Sequence, residues 1–232
     1  MGFNMRFLQS TLGLKVIMAL TGIVMVGFVV VHMLGNLQIF LPVPKEGMHA
    51  IDEYAKLLKS NAAVLWGART VLLGSIAGHI YAAWSLTQRS NAARPKNYEV
   101  QRFFSNSYAV HTMRWGGVIL LFFIIYHLLH LTVGMNGTTI FSDIKHCSTD
   151  ECFVRQNLIN GFRNPFISIF YIIAQSALGL HLAHGVWSLF RTIGVTSSKW
   201  GERSKVLALG IGGVITVGNT AIPLAILIGI IS

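Results

Sequence analysis

Five long apolar segments constrain this chain more than any other feature of its sequence. They lie at residues 14–41, 63–87, 115–135, 165–190 and 206–231. Each contains the roughly 20 residues that an α-helix needs to cross the ~30 Å hydrocarbon core of a bilayer. Because lipid offers the backbone no hydrogen-bond partners, each span is predicted to be α-helical. The sequence therefore predicts an all-α integral membrane protein, with residues 1–232 forming a single membrane domain.

Composition and charge distribution agree with this class. Hydrophobic residues make up 53% of the chain and charged residues 11%, whereas soluble domains carry about 25% charged residues. The N-terminus and the 88–114 and 191–205 segments together carry eleven basic residues but only two acidic ones. The positive-inside rule then predicts a cytoplasmic N-terminus and a C-terminus outside. The net charge of +10 thus marks topology, and no nucleic-acid partner is needed to explain it.

The connecting segments carry three further features. The 42–61 connection has apolar residues at helical spacing, which predicts a short amphipathic helix at the outer surface. The only two cysteines, Cys147 and Cys152, lie in an outer loop, where either a disulfide or two free thiols are compatible with the compartment. The basic, partly aromatic 88–111 loop is either a docking surface for a peripheral subunit or a solvated topological signal.

Histidines inside the spans are the strongest functional signal. Intramembrane ionisable residues indicate function by default, although a lone histidine also serves to bond a neighbouring helix. Here each of four consecutive spans contains at least one histidine, which favours a shared site. The six intramembrane histidines are His32, His79, His127, His130, His181 and His184.

The depth of these histidines predicts how they pair. His32 and His127 lie about 16 residues past the cytoplasmic ends of their spans, and His79 and His181 lie about 16 residues past the outer ends of theirs. Each is therefore about 24 Å into a ~30 Å core, beyond the midplane. Spans one and three place their histidines near the outer face, and spans two and four near the cytoplasmic face. The sequence predicts two pairs, stacked across the membrane.

A weak internal repeat relates span one to span three. LTGIVMVGFVVVHMLGNL (20–37) and WGGVILLFFIIYHLLHLT (115–132) align without a gap. In each, a histidine follows a glycine by ten residues: His32 follows Gly22, and His127 follows Gly117.

Spans two and four are related in the same way, through HIYAAWSLTQR and HLAHGVWSLFR. His79 and His181 each lie ten residues before an arginine, whereas His184 lies seven before it. His181 is therefore the predicted ligand. His130 and His184 have no counterpart in the other half and are interpreted as extra neighbours.

Few metal ions or cofactors can be bound by a pair of histidines alone. A di-iron site needs carboxylates on the same helices, and all eight acidic residues lie outside the spans. Zinc prefers three or four ligands, and no CxxCH motif for covalent haem attachment occurs. Two neutral imidazoles facing each other suit six-coordinate, non-covalent b haem, which transfers electrons. The first four spans are thus predicted to form a haem-binding bundle.

These features together resemble a known family. Its motifs here are KVIMALTG…VVVHMLGN, GHIYAAWS, RWGG…IIYHLL and HLAHGVWSLFRTIGV, one set in each of the first four spans. The chain resembles the single-polypeptide, di-haem cytochrome b subunit of bacterial succinate:quinone oxidoreductase and quinol:fumarate reductase. By that resemblance His32 and His127 ligate the distal haem, and His79 and His181 the proximal one.

The resemblance also implies partners and location. An iron–sulfur subunit and an FAD-containing flavoprotein would bind on the cytoplasmic side of the bacterial cytoplasmic membrane. This chain would be the anchor subunit of the enzyme, with no dicarboxylate site of its own. Its substrate would be a membrane quinone, with menaquinone the expected type, and the whole complex could form a higher oligomer.

Other residues carry expectations from the same resemblance. Asp52 and Glu53 match the region of a carboxylate that acts in quinol chemistry beside the distal haem; the alternative is an exposed charge on a surface helix. Four arginines near span ends either pair with haem propionates or act only as topological signals; they are Arg69, Arg114, Arg163 and Arg191. Some fumarate reductases of the family use a glutamate just before the fourth-span histidine, but SALGLH contains none. A carboxylate proton relay is therefore predicted to be lacking.

Two competing interpretations remain open. One is a di-haem b cytochrome of another quinone-linked enzyme, of the formate dehydrogenase or hydrogenase type, or a transmembrane ferric or ascorbate reductase. Those proteins often place two ligands on one helix, unlike the even distribution here. The other is a metal or proton transporter, which usually has broken helices and intramembrane carboxylates.

Overall fold

The computed structural model describes Phe7 and residues 9–93, 108–134, 144–148, 150–195 and 197–232, and its regular structure is helical throughout. Most of the basic 88–111 loop, for which a docking surface and a solvated topological signal were both open, lies outside these residues. The helices are α1 (Thr11–Leu37, extended by a 3₁₀ turn at Gln38–Phe40), α2 (Ala50–Lys59), α3 (Ala62–Ala92), α4 (Tyr108–Leu128, extended by a π-helical turn at Leu129–Val133), α5 (Val154–Phe162), α6 (Pro165–Thr192) and α7 (Ser198–Leu227).

Five of these helices, α1, α3, α4, α6 and α7, are long and apolar enough to cross a membrane. Each coincides with one predicted span, so the prediction of an all-α protein with five membrane-spanning helices is confirmed. The starts of three are set locally, by Ser10, Asn61 and Asn164, whose side chains accept hydrogen bonds from backbone N–H groups in the first turn. Such caps satisfy donors that the helix itself leaves unpaired.

The long helices form two pairs, and the fifth long helix packs against one helix of each pair. α1 packs against α3, and α4 packs against α6. α7 packs most closely against α6 and also contacts α1. Within the described part of the chain, α1 and α4 make almost no direct backbone contact, and neither do α3 and α6. The two helix pairs are therefore joined through α1, α6 and α7, while a gap separates the faces that carry the histidines.

Glycines bring α6 and α7 together. A Cβ on Gly179 would overlap Thr216 Oγ1 and would lie 2.9 Å from the Gly212 carbonyl oxygen. Asn219 adds an amide hydrogen bond to Gln175 at 3.1 Å. Small residues and interhelical hydrogen bonds hold helices together where lipid removes the hydrophobic drive. Gly179 therefore packs α6 against α7 two residues before His181.

The short helices α2 and α5 cover the end of the bundle that is predicted to be outside. The amphipathic helix predicted for the 42–61 connection is confirmed as α2, whose Ile51 joins the largest buried cluster together with Ile159 and Phe162 of α5. Cys147 and Cys152 form a disulfide beside α2, which settles the open alternative. Lys59 Nζ lies 3.1 Å from Cys147 Sγ. Burial, and then the Arg69 guanidinium, lower the pKa of this lysine.

The last turn of α4 departs from the predicted α-helix. It is π-helical over Leu129–Val133 and closes with a hydrogen bond from Gly134 N to Leu129 O. Gly134 has φ +68°, and a Cβ there would overlap the side chain of Ile144. Only glycine satisfies both conditions without strain. The wider turn is a product of tertiary packing, which helical periodicity in the sequence does not reveal.

Candidate functional site

The structure brings two of the four predicted ligands into contact. The predicted distal pair, His32 of α1 and His127 of α4, has ring centroids 5.8 Å apart. The predicted proximal pair consists of His79 of α3 and His181 of α6, and the Cε1 atom of each lies 3.8 Å from a Cβ added to one of two equivalent glycines.

Each pair bridges the gap between the two halves of the bundle. His32 and His79 come from the α1/α3 half, and His127 and His181 come from the α4/α6 half. The pairs are also well separated along the bundle. Thr21, which contacts His79, precedes His32 by eleven residues in α1, a rise of about 16 Å.

A hydroxyl group orients one member of the proximal pair. Thr21 Oγ1 donates to the Ile17 carbonyl at 2.7 Å, so at 3.1 Å it accepts from Nδ1–H of His79. This assignment leaves Nε2 of His79 with a free lone pair, the form in which imidazole binds a metal. By contrast, Nδ1 of His181 is buried and has no hydrogen-bond partner in the described part of the chain.

The repeat seen in the sequence explains this difference. Gly22 and Gly117 occupy equivalent positions, and a Cβ on either would lie 3.8 Å from Cε1 of His79 and of His181 respectively. Thr21, just before Gly22, corresponds to Gly116, just before Gly117. The second half thus has no hydroxyl where the first half has one. Backbone and histidine are repeated, but the hydrogen bond is not.

The distal pair has different surroundings. Phe28 stacks on His32 with ring centroids 5.3 Å apart, and Asn36 Nδ2 lies 3.1 Å from His32 Nε2. In this contact the asparagine amide donates to the lone pair that a metal would otherwise take. On the other side, the hydroxyl of Tyr171 lies 3.4 Å from His127 Nδ1. Sequence reasoning missed both Asn36 and Tyr171.

The two extra histidines behave differently. His130 is fully buried at the π-helical turn, with Nδ1 2.9 Å from the Tyr171 hydroxyl. His184 is half-buried and lies edge-on to Trp187, with centroids 6.0 Å apart. His184 is therefore a neighbour of the proximal pair rather than a member of it.

The carboxylates predicted for quinone chemistry lie on α2. Asp52 is buried, and its Oδ1 accepts a hydrogen bond from Arg155 N in the first turn of α5 at 3.0 Å. Glu53 is exposed. The Asp52 carboxylate thus caps a helix, a structural role that requires no quinone. The quinone role of both residues stays a prediction.

The four arginines predicted near haem propionates lie at helix ends. Arg69 and Arg191 lie over the rings of Trp66 and Trp187, at 4.9 Å and 5.3 Å from the centroids. The remaining two, Arg114 and Arg163, are exposed. The pairing of all four arginines with haem propionates stays a prediction.

Two imidazoles that face each other are the donor set of a six-coordinate haem iron. Two metal–nitrogen bonds of about 2 Å each would separate facing imidazole centroids by about 6 Å; the His32 and His127 centroids are 5.8 Å apart, with the two ring planes at 90°. A flat group also needs separated helices, and α1 and α4, like α3 and α6, make few close backbone contacts. Among the described residues, no group of three or more His, Cys, Asp and Glu side chains is arranged to hold a metal ion.

Comparison with known proteins adds nothing to these observations, because no family model, curated protein or solved structure matches the chain significantly.

Proposed function

We propose that this chain is the di-haem cytochrome b membrane-anchor subunit of a succinate:quinone oxidoreductase, in a bacterial cytoplasmic membrane. The observation that carries the proposal is the pairing itself. The histidines lie one to a helix on helices that otherwise make few close backbone contacts: His32 meets His127, and His79 and His181 lie against equivalent glycines. Haem iron between two imidazoles changes between ferric and ferrous states and so carries one electron.

The two histidine pairs would bind two separate haems, one at each level of the bundle. His79 and His181 would hold the group that faces the iron–sulfur subunit, and His32 and His127 the group that faces the quinone. The helices exclude water from both levels because aromatic and aliphatic side chains fill the surrounding space. Phe28 and Phe123, for example, lie against the distal histidines, with ring centroids 5.3 Å and 5.8 Å away.

Alanine substitutions test the ligand assignment. Replacing any one of His32, His79, His127 and His181 should remove one haem of two, because a single imidazole does not hold a low-spin, six-coordinate iron. His184→Ala is the matched control: it removes an imidazole one turn from His181 and should leave both haems bound. The measurement is haem per chain in the purified complex, with a reduced-minus-oxidised spectrum.

The identity of the complex needs a second measurement. Purification of the tagged chain from its native membrane should bring down a flavoprotein and an iron–sulfur protein, and the complex should reduce quinone with succinate or oxidise quinol with fumarate. A molybdenum or nickel enzyme in their place would replace this proposal with the formate dehydrogenase or hydrogenase type of cytochrome. An alanine series that leaves the haem content unchanged would refute the ligand assignment.

A further inference from the structure

The π-helical turn at the end of α4 gathers three polar side chains in an otherwise apolar region. Tyr171 of α6 is 4% exposed, and His130 is completely buried. The Tyr171 hydroxyl lies 2.9 Å from His130 Nδ1 and 3.4 Å from His127 Nδ1. π-turns inside α-helices are frequently found at functional sites. Here two histidines three residues apart on one helix reach the same hydroxyl.

The direction of the hydrogen bonds follows from the number of protons. A tyrosine hydroxyl has one proton to donate and lone pairs with which to accept. In the proposed function Nε2 of His127 binds the iron, so Nδ1 of that ring carries the proton. The hydroxyl oxygen then accepts from Nδ1–H of His127 at 3.4 Å, and the hydroxyl donates its one proton to His130 Nδ1 at 2.9 Å.

Packing fixes the tyrosine in place. The ring of Tyr171 lies edge-on to Phe123 and Phe162, with centroids 5.1 Å and 4.8 Å away. The first half of the bundle has no equivalent: ten residues before His79, as Tyr171 is before His181, α3 carries Arg69. Position 35, which corresponds to His130 in the repeat, is a glycine, and a Cβ added there would overlap ring carbons of Tyr54.

We propose that Tyr171 is a positioning residue for His127, with His130 as the acceptor that orients its hydroxyl. The inference rests on the proposed function, since it concerns a haem ligand. A partner that accepts from the second ring nitrogen fixes the orientation of a metal-bound imidazole and raises its basicity. More basic ligands favour the ferric state. The Tyr171 hydroxyl therefore lowers the reduction potential of the distal haem and leaves the proximal haem unaffected.

Tyr171→Phe tests this with minimal change, because it keeps the ring packing and removes only the hydroxyl. The matched control is Tyr54→Phe, which removes the same atom from a tyrosine at the same end of the bundle. The readouts are haem per chain, a potentiometric titration of each haem, and the low-spin EPR signals. His32→Ala, which lacks the distal haem, identifies which signals belong to it.

In Tyr171→Phe we expect both haems to be retained and the reduction equilibrium of the distal haem to shift about tenfold toward the ferrous state, about 59 mV for one electron. Its EPR signal should change, while the proximal haem and the Tyr54→Phe control stay as in the wild type. A distal potential and EPR signal that do not change would overturn the proposal. A wild-type protein without haem would instead refute the proposed function, which separates the two failures.

A second variant covers the case in which Tyr171→Phe fails to assemble. His130→Leu keeps the tyrosine hydroxyl but removes the acceptor that orients it. The expected shift has the same direction and is smaller, a few-fold in the same equilibrium. No shift in this variant would overturn the proposal.

Discussion

The two halves of the bundle, α1/α3 and α4/α6, share a backbone arrangement but differ in the hydrogen bonds around their histidines. In both halves a glycine lies against a proximal histidine at the same distance, since a methyl carbon added to either glycine would lie 3.8 Å from Cε1. In the first half a threonine hydroxyl orients His79; in the second a tyrosine hydroxyl approaches His127. His32 and His181 have no comparable hydroxyl contact among the described residues.

This difference separates the residues that are repeated in the two halves from those that are not. The glycines and histidines that lie between the two helix pairs are repeated, because each half supplies one histidine to the distal level and one to the proximal level. The partners of the second ring nitrogen are not repeated, so each pair contains one histidine oriented by a hydroxyl and one that is not. The hydrogen bonds around the histidines therefore differ between the two levels, while the backbone arrangement is the same.

The largest expected effect comes from filling the repeated glycine positions. A Cβ at Gly22 or Gly117 would already be in van der Waals contact with a proximal imidazole. The larger side chain in Gly22→Leu and Gly117→Leu would therefore occupy the space beside that ring. Each should therefore remove the proximal haem and leave the distal one. Spectra and haem content of the purified variants provide the measurement.

Gly27→Leu is the control for these variants, because a Cβ at position 27 meets nothing within 4 Å. It should retain both haems. If only one of the two proximal substitutions removed a haem, the equivalence of the two halves would be broken.

A smaller effect is expected where α7 packs most closely, against α6. Gly179→Ala forces a methyl to within 2.9 Å of the Gly212 carbonyl and displaces Thr216. Overpacking of this kind costs about 1–3 kcal/mol. Unfolding in detergent should report that loss.

Gly213→Ala is its control, because a methyl at position 213 meets nothing within 4 Å. It should be as stable as the wild type. An equal loss in both variants would show that close packing of α6 on α7 is not what matters.

The smallest effect concerns Thr21. Thr21→Val keeps the shape of the side chain but removes the hydroxyl that accepts from His79 Nδ1–H. The proximal haem should then shift a few-fold toward the ferrous state, with the distal haem unchanged, in a potentiometric titration.

Thr70→Val is the matched control, since Thr70 makes the same kind of bond to a backbone carbonyl on lipid-exposed helix surface. It should change neither potential. A shift of the distal haem in Thr21→Val would contradict the assignment of Thr21 to the proximal level.

Much of the fold was predictable because membrane spans follow from local composition. The five long helices, the amphipathic α2 and the pairing of the histidines all follow from hydropathy, helical spacing and depth. The π-helical turn did not, because it depends on tertiary contacts such as that between Gly134 and Ile144. The helix cap that Asp52 forms with Arg155 N was also missed, because it joins residues that lie far apart in the sequence.

The hydroxyl partners could have been found from the sequence by extending the depth argument. Thr21 lies eleven residues before His32 and Tyr171 ten residues before His181, which at 1.5 Å per residue is about the spacing between the two levels. A polar residue at that offset on a ligand-bearing helix lies at the depth of the other pair; Arg69, ten residues before His79, shows that depth alone does not bring a side chain to the rings. The contact of His130 with Tyr171 could not be assigned in this way, because it joins two different helices.

The haem stoichiometry of the purified wild-type protein tests the central claim most directly. A pyridine haemochrome assay, with protein determined by amino-acid analysis, should give two non-covalent b haems per chain with low-spin spectra. One haem or none would contradict the assignment of His32, His79, His127 and His181 as two pairs of axial ligands.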